Sequence, residues 1–170
     1  MRVSQPGQPA ETKEDVVRFA PHADAEVQTV VATPASEGGG GWLSSDGRWL
    51  AYTSDSTGRL EVWVRPFPGS GAAVRVSSNG GVEPVWARNG KELYYLEGRN
   101  MMSVAVEAGA AFNFKPAARL FESTYTRDQQ PPSYDVAADG RFVMIKPDSS
   151  GKIPITVILN WQERLNARAH

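Results

Sequence analysis

Three stretches of the chain repeat one pattern. Residues 42–54 read WLSSDGRWLAYTS, residues 85–97 read VWARNGKELYYLE, and residues 135–147 read DVAADGRFVMIKP. Each runs from a short apolar step through two small or polar residues to an Asp/Asn-Gly-Arg/Lys turn and then an apolar strand. The turn glycines are Gly47, Gly90 and Gly140, spaced 43 and then 50 residues apart. A strand–turn–strand unit recurring every 40–50 residues or so is a unit that cannot bury both its faces alone and must stack on its neighbours, as the blades of a β-propeller do. The pattern predicts an all-β chain: a partial β-propeller of three four-stranded antiparallel blades, at residues 38–80, 81–123 and 124–163. It does not name a molecule that the protein handles.

Local signals fill in the strands. Residues 27–33 (VQTVVAT) alternate and are β-branched, so they read as a strand ahead of the first blade. Asp46-Gly47, Asn89-Gly90 and Asp139-Gly140 are expected hairpin turns, because both central positions of such a turn tolerate positive φ. Strands follow at 49–53, 60–67 and 72–77, then at 83–87, 92–96, 101–107 and 118–122, and in the third copy at 133–136, 142–145 and 155–161. Residues 108–115 read as a longer loop. The middle strands (AYT, LYYL, VMI and TVIL) are apolar without strict alternation, as strands covered on both faces should be. Residues 1–26 carry Pro6, Pro9 and Pro21 and read as a mostly irregular tail, with one short strand or helical turn at the apolar patch of Val16, Val17 and Phe19. Residues 166–170 read as a second tail.

Composition removes several function classes. A net charge of −1 with scattered Lys and Arg offers no basic patch for a polyanion, so no nucleic-acid partner is expected. With no cysteine, disulfides and thiolate metal sites are excluded. No apolar run approaches the roughly 20 residues of a membrane helix, so no direct membrane insertion is expected. The first 19 residues lack the apolar core of a secretory signal.

The string Ser44-Ser45-Asp46-Gly47-Arg48-Trp49-Leu50-Ala51-Tyr52-Thr53-Ser54-Asp55 resembles the core of the WD-like propeller repeats of the TolB type. Three further stretches resemble more closely the C-terminal propeller of bacterial transmembrane Ser/Thr protein kinases and related sensor proteins. They are Glu61-Val62-Trp63-Val64-Arg65-Pro66-Phe67-Pro68-Gly69, then Glu83-Pro84-Val85-Trp86 ahead of Asn89-Gly90-Lys91, and finally Pro154-Ile155-Thr156-Val157-Ile158-Leu159-Asn160-Trp161. The resemblance covers residues 27–165. It departs at Ser45, Arg88 and Ala138, where the family carries proline. It implies the sensor or scaffold end of a bacterial signalling protein, with a protein or peptide partner and an extracytoplasmic (periplasmic) location. Three blades fall short of the four to eight or so of a closed ring, so the chain is expected to be an arc of a larger propeller. No kinase motif is present.

Catalytic chemistry finds few candidates. The only histidines are His22 and His170, both in the expected tails, and no Gly-x-Ser-x-Gly elbow occurs. The expectation is a non-enzymatic module with no cofactor and no metal. Asp55-Ser56-Thr57-Gly58 and Asp148-Ser149-Ser150-Gly151 offer oxygen ligands, but the same residues build tight turns. Most aromatics read as packing between blades. The best candidates for a contact surface are the expected loop residues Arg65, Phe67, Arg88, Arg99, Tyr125, Arg127 and Tyr134, since Arg and aromatics dominate binding hot spots. Two alternatives stay open: the gating propeller of a prolyl-oligopeptidase-like hydrolase, disfavoured because the sequence ends at His170, and a fragment that self-associates as a homo-oligomer through open sheet edges.

Overall fold

The computed structural model describes residues 16–18, 26–31, 33–38, 41–69, 71–107, 109, 111–122 and 133–145. The expected strand at 155–161, residues 1–15 and 19–25 of the expected first tail, and the expected second tail lie outside them, as do Tyr125, Arg127, His22 and His170. All regular structure in the described residues is β, and every pairing is antiparallel. The first sheet joins β1 (Val16–Arg18) to β2 (Gln28–Val31), so the apolar patch in the expected tail is a short strand rather than a helical turn. The next is a four-stranded meander of β3 (Gly41–Leu43), β4 (Trp49–Ser54), β5 (Glu61–Pro66) and β6 (Val74–Arg75).

A second meander follows with β7 (Val82–Trp86), β8 (Glu92–Glu97) and β9 (Asn100–Glu107). Its outer position is shared by β10 (Asn113–Phe114) and β11 (Ala118–Glu122), which pair with opposite ends of β9. The expected loop at 108–115 thus contains a short strand. The third copy contributes the hairpin of β12 (Tyr134–Val136) and β13 (Phe142–Met144).

Why the middle strands are apolar throughout becomes clear from their faces. Along β8, Leu93 and Tyr95 point to the first meander, where they join Ala51, Val62, Val64, Val76, Trp86 and Val104. Tyr94 and Leu96 point the other way, joining Val85, Ala87, Met101, Tyr134 and Val136. Strand β4 does the same: Ala51 faces the second meander, while Leu50 and Tyr52 meet Val31 of β2. Successive sheets therefore supply each other's apolar contacts, with β7 against β3, β4 and β5, and β12 against β7. This is the stacking of consecutive propeller blades. Phe112 wedges into the first seam, its ring 5.3 Å from that of Trp49 and 6.2 Å from that of Trp86. The Trp86 indole N–H crosses the same seam to the Trp42 carbonyl at 3.0 Å.

Candidate functional site

The three repeated turns share one geometry. Gly47, Gly90 and Gly140 each donate a backbone N–H to the residue three positions back, Ser44, Ala87 and Ala137, at 2.9 Å in all three. Their φ angles are 70°, 70° and 83°. In each turn the preceding side chain accepts the N–H two residues on: Asp46 from Arg48 at 3.1 Å, Asn89 from Lys91 at 2.9 Å and Asp139 from Arg141 at 3.2 Å. One expectation is corrected here, for only the glycines adopt positive φ. The side-chain cap holds Asp46, Asn89 and Asp139 on the ordinary side of the map, and glycine alone takes the left-handed step. The third turn is also one residue shorter. Leu43 pairs with Leu50 and Trp86 with Leu93, but Val136 pairs with Phe142.

Because hairpins alternate ends, the three glycine turns lie at one end of the stack. Phe67 belongs to that end, since its N–H donates to the Arg48 carbonyl at 2.8 Å. Arg88 does too, within the second turn, and its guanidinium lies 3.6 Å from the Asp135 carboxylate of the next blade. The cations are pre-oriented. Arg48 and Arg141 each hold an aspartate of their own turn at 2.7 Å. Arg48 also reaches the Gly109 carbonyl of the second blade at 3.3 Å. The Asp46 carboxyl is held down to about 2 by the Ser44 hydroxyl and then by Arg48. That of Asp139 is lowered by the Arg141 backbone N–H and guanidinium.

The other expected contact residues fall elsewhere. Arg99 sits in the β8–β9 turn at the opposite end, 3.5 Å from Glu122. Arg65 is a strand residue, half-buried, donating to the Val30 carbonyl at 2.7 Å. Tyr134 is corrected outright. It opens β12, is 3% exposed and donates its hydroxyl to the Glu83 carbonyl at 2.8 Å. Its apolar ring fills the seam between the second and third blades, and burial raises the phenol well above its ordinary range. Phe67 is itself half-buried against the seam between the β1–β2 sheet and the first meander, under the Arg18 guanidinium.

Three buried acids escaped the sequence reading. Glu61 has no exposed surface. It takes the Ser77 hydroxyl, the Gly80 N–H at 3.1 Å and the Arg59 guanidinium at 2.7 Å. Burial pushes its carboxyl up, but those donors outweigh it and the net shift is downward. Glu83 has φ 54°, the lone non-glycine residue with positive φ among the described residues. Its carboxylate takes the Ser133 N–H at 2.8 Å and hydroxyl at 2.6 Å, binding the second blade to the third. Glu83 and Ser133 each precede their turn glycine by seven residues. Glu37, 3% exposed, accepts the Thr33 hydroxyl. The usable signal was a carboxylate inside an apolar or glycine-rich run, since a buried charge needs partners.

Both serine–carboxylate pairs are sealed from solvent, so neither Ser77 nor Ser133 presents a nucleophile to a substrate. The exposed groups at the glycine-turn end are the guanidinium groups of Arg48, Arg88 and Arg141 and the carboxylates they face.

No family model matches the chain, and no curated protein matches it. Among solved structures, the crystal structure of an oligogalacturonate lyase from Vibrio parahaemolyticus is similar at 17% identity, with a TM-score of 0.40. The match covers 56% of this chain and 29% of that one, so the chain spans less than a third of that protein's length.

Proposed function

We propose that the protein is a non-enzymatic binding module whose contact surface is the end of the blade stack carrying the three glycine turns. One observation carries this: three glycine turns with the same capping bonds lie on three successive sheets, and Arg48 and Arg141 are held by the aspartates of their own turns while staying exposed. Pre-organised surface groups lose little entropy on binding, which is what a rigid docking surface requires. Arg48, Arg88, Lys91 and Arg141 supply donors for the carbonyls and carboxylates of a protein or peptide partner, and Phe67 supplies an aromatic edge.

The resemblance to TolB-type repeats and kinase-associated propellers supports a role as the sensor or scaffold part of a bacterial signalling protein, acting outside the cytoplasm. Selection of binders from a random peptide library tests the site. Peptides retained by the protein lose affinity when Arg88 or Arg141 is changed to Ala, and keep it when Arg99, at the opposite end, is changed. Equal loss from both ends, or turnover of a bound peptide, overturns the reading.

Self-association is a second reading, favoured by Val143 on β13 and the adjacent Ile145, which stay 66% and 50% exposed. Changing both to Ser then lowers the average mass seen by light scattering. A mass unchanged by the substitution, or already that of one chain, rules it out.

A further inference from the structure

The chain holds two Asn-Gly steps, Asn79-Gly80 and Asn89-Gly90, and both asparagines are exposed. Such a step carries its own reaction partners. The glycine nitrogen can close a succinimide ring on the asparagine side-chain carbonyl carbon, and a residue without Cβ leaves the approach open. The fold treats the two steps differently. Asn89 Oδ1 accepts the Lys91 N–H at 2.9 Å, and the Gly90 N–H donates to the Ala87 carbonyl at 2.9 Å. A Cβ at Gly90 would lie 2.7 Å from the Ser45 hydroxyl. The Asn79 side chain makes no hydrogen bond among the described residues. Outside the adjoining residues, the atom nearest to a Cβ at Gly80 is the Leu60 carbonyl oxygen, at 3.9 Å. The Gly80 N–H points at Glu61, its nitrogen 3.1 and 3.2 Å from the two carboxylate oxygens. Arg59 and the Ser77 hydroxyl hold that carboxylate in place, without exposed surface.

We propose that Asn79 is a site of self-modification: in the folded protein it loses its side-chain amide to attack by the Gly80 nitrogen, with Glu61 as proton acceptor, while Asn89 is spared. In the first step the Gly80 nitrogen bonds to Asn79 Cγ and the Cγ–Nδ2 bond breaks. Glu61 takes the Gly80 proton and returns it to the leaving Nδ2, which departs as ammonia. A cyclic imide remains. Water then opens it at Cγ to give aspartate, or at the Asn79 main-chain carbonyl carbon to give isoaspartate. Ring closure strips the N–H from either glycine. At Gly90 that N–H is given to a carbonyl, which is no base. At Gly80 it is given to a carboxylate within the reach required of a general base. The N–H lies in the peptide plane, so its bond to Glu61 leaves uncovered the face of the nitrogen that must meet Cγ. Either product adds a carboxylate to the segment joining the two meanders, and isoaspartate also lengthens its backbone by a methylene carbon. This site stands independently of the glycine-turn surface.

An arginine-specific protease separates the two sites, since Arg75, Arg88 and Arg99 bound peptides 76–88 and 89–99, each with a single asparagine. The full chain is incubated at neutral pH, native or unfolded in guanidinium chloride, and the mass gain of each peptide is followed with time. Unfolded, the two asparagines convert alike. In the native protein, conversion at Asn79 exceeds that at Asn89 about tenfold or more, within what a positioned base contributes. Glu61→Gln keeps an acceptor for the Gly80 N–H but takes no proton. It slows Asn79 to a similar degree and leaves Asn89 unchanged, with native folding checked by the amide spectrum. Equal native rates at the two sites, or a faster Asn89, overturn the inference, and that comparison needs no variant. So does a folded Glu61→Gln protein that converts Asn79 at the unsubstituted rate.

Discussion

Asp46, Asp139 and Glu61 all have carboxyls lowered by the bonds they accept in the folded chain. A carboxylate with a folded pKa below its unfolded one favours the native state above the unfolded value, near 4 or so, and loses that contribution as pH falls through the folded value. Stability toward urea is therefore expected to hold steady above about pH 5 and to drop as pH approaches about 2. Asp46→Asn makes part of that drop disappear; a midpoint independent of pH over this window would contradict the bonding described. The glycine turns give a second expectation. Alanine at Gly47 or Gly140 meets no atom within 4 Å and costs only the left-handed backbone strain, about 1 kcal/mol. At Gly90 the new methyl would also lie 2.7 Å from the Ser45 hydroxyl of the neighbouring blade. Gly90→Ala should be the most destabilising of the three, read from urea midpoints, unless Ser45 rotates away.

At the level of the sheet element, the connection between blades depends on Glu83. Glu83→Ala removes both bonds to Ser133 and leaves a buried N–H unanswered, at a cost of about 1–3 kcal/mol. Ser133→Ala keeps the backbone N–H donor and loses only the hydroxyl bond, so it should cost less; thermal unfolding of both variants orders them. Strand positions were readable because the turn chemistry and the both-face apolar runs agree: LYYL at 93–96 marks a strand with two partners, and it has two. The third hairpin shows where such reading stops. DVAADGRFVM matches the first two copies by eye, yet its turn is one residue shorter and sends Phe142 rather than Val143 into the seam with Tyr94 and Tyr134. Register follows side-chain packing, which spacing alone does not encode. Tyr134 was misread for a related reason. It follows a Pro-rich polar stretch, and only the adjacent blade, with Glu83, makes a core residue of it.

Across the whole molecule, the repeat was legible and the site was not. Arg88 and Arg99 look alike in sequence but lie at opposite ends of one blade, because consecutive hairpins alternate direction. Arg65 reaches the Val30 carbonyl across a seam between segments that no short motif links. What unifies the molecule is that each sheet completes its neighbour's core without a ladder hydrogen bond between them. Phe112, shared by Trp49 and Trp86, is central to the first seam. Phe112→Ala is expected to lower stability by about 2 kcal/mol or more, since a truncated aromatic loses both its contacts and its buried area; an unchanged unfolding midpoint would remove Phe112 from that role.

Native-state hydrogen exchange of Leu93→Ala addresses the stacking most directly. Leu93 lies on β8 with no exposed surface, against the first meander. If facing sheets hold each other in place, amides of β4 and β5 lose protection along with those of β7–β9, although no backbone ladder joins the two sheets. Faster exchange confined to β7–β9, with β4 and β5 unaffected, would show that the blades stand independently and that the stack is not the unit of the fold.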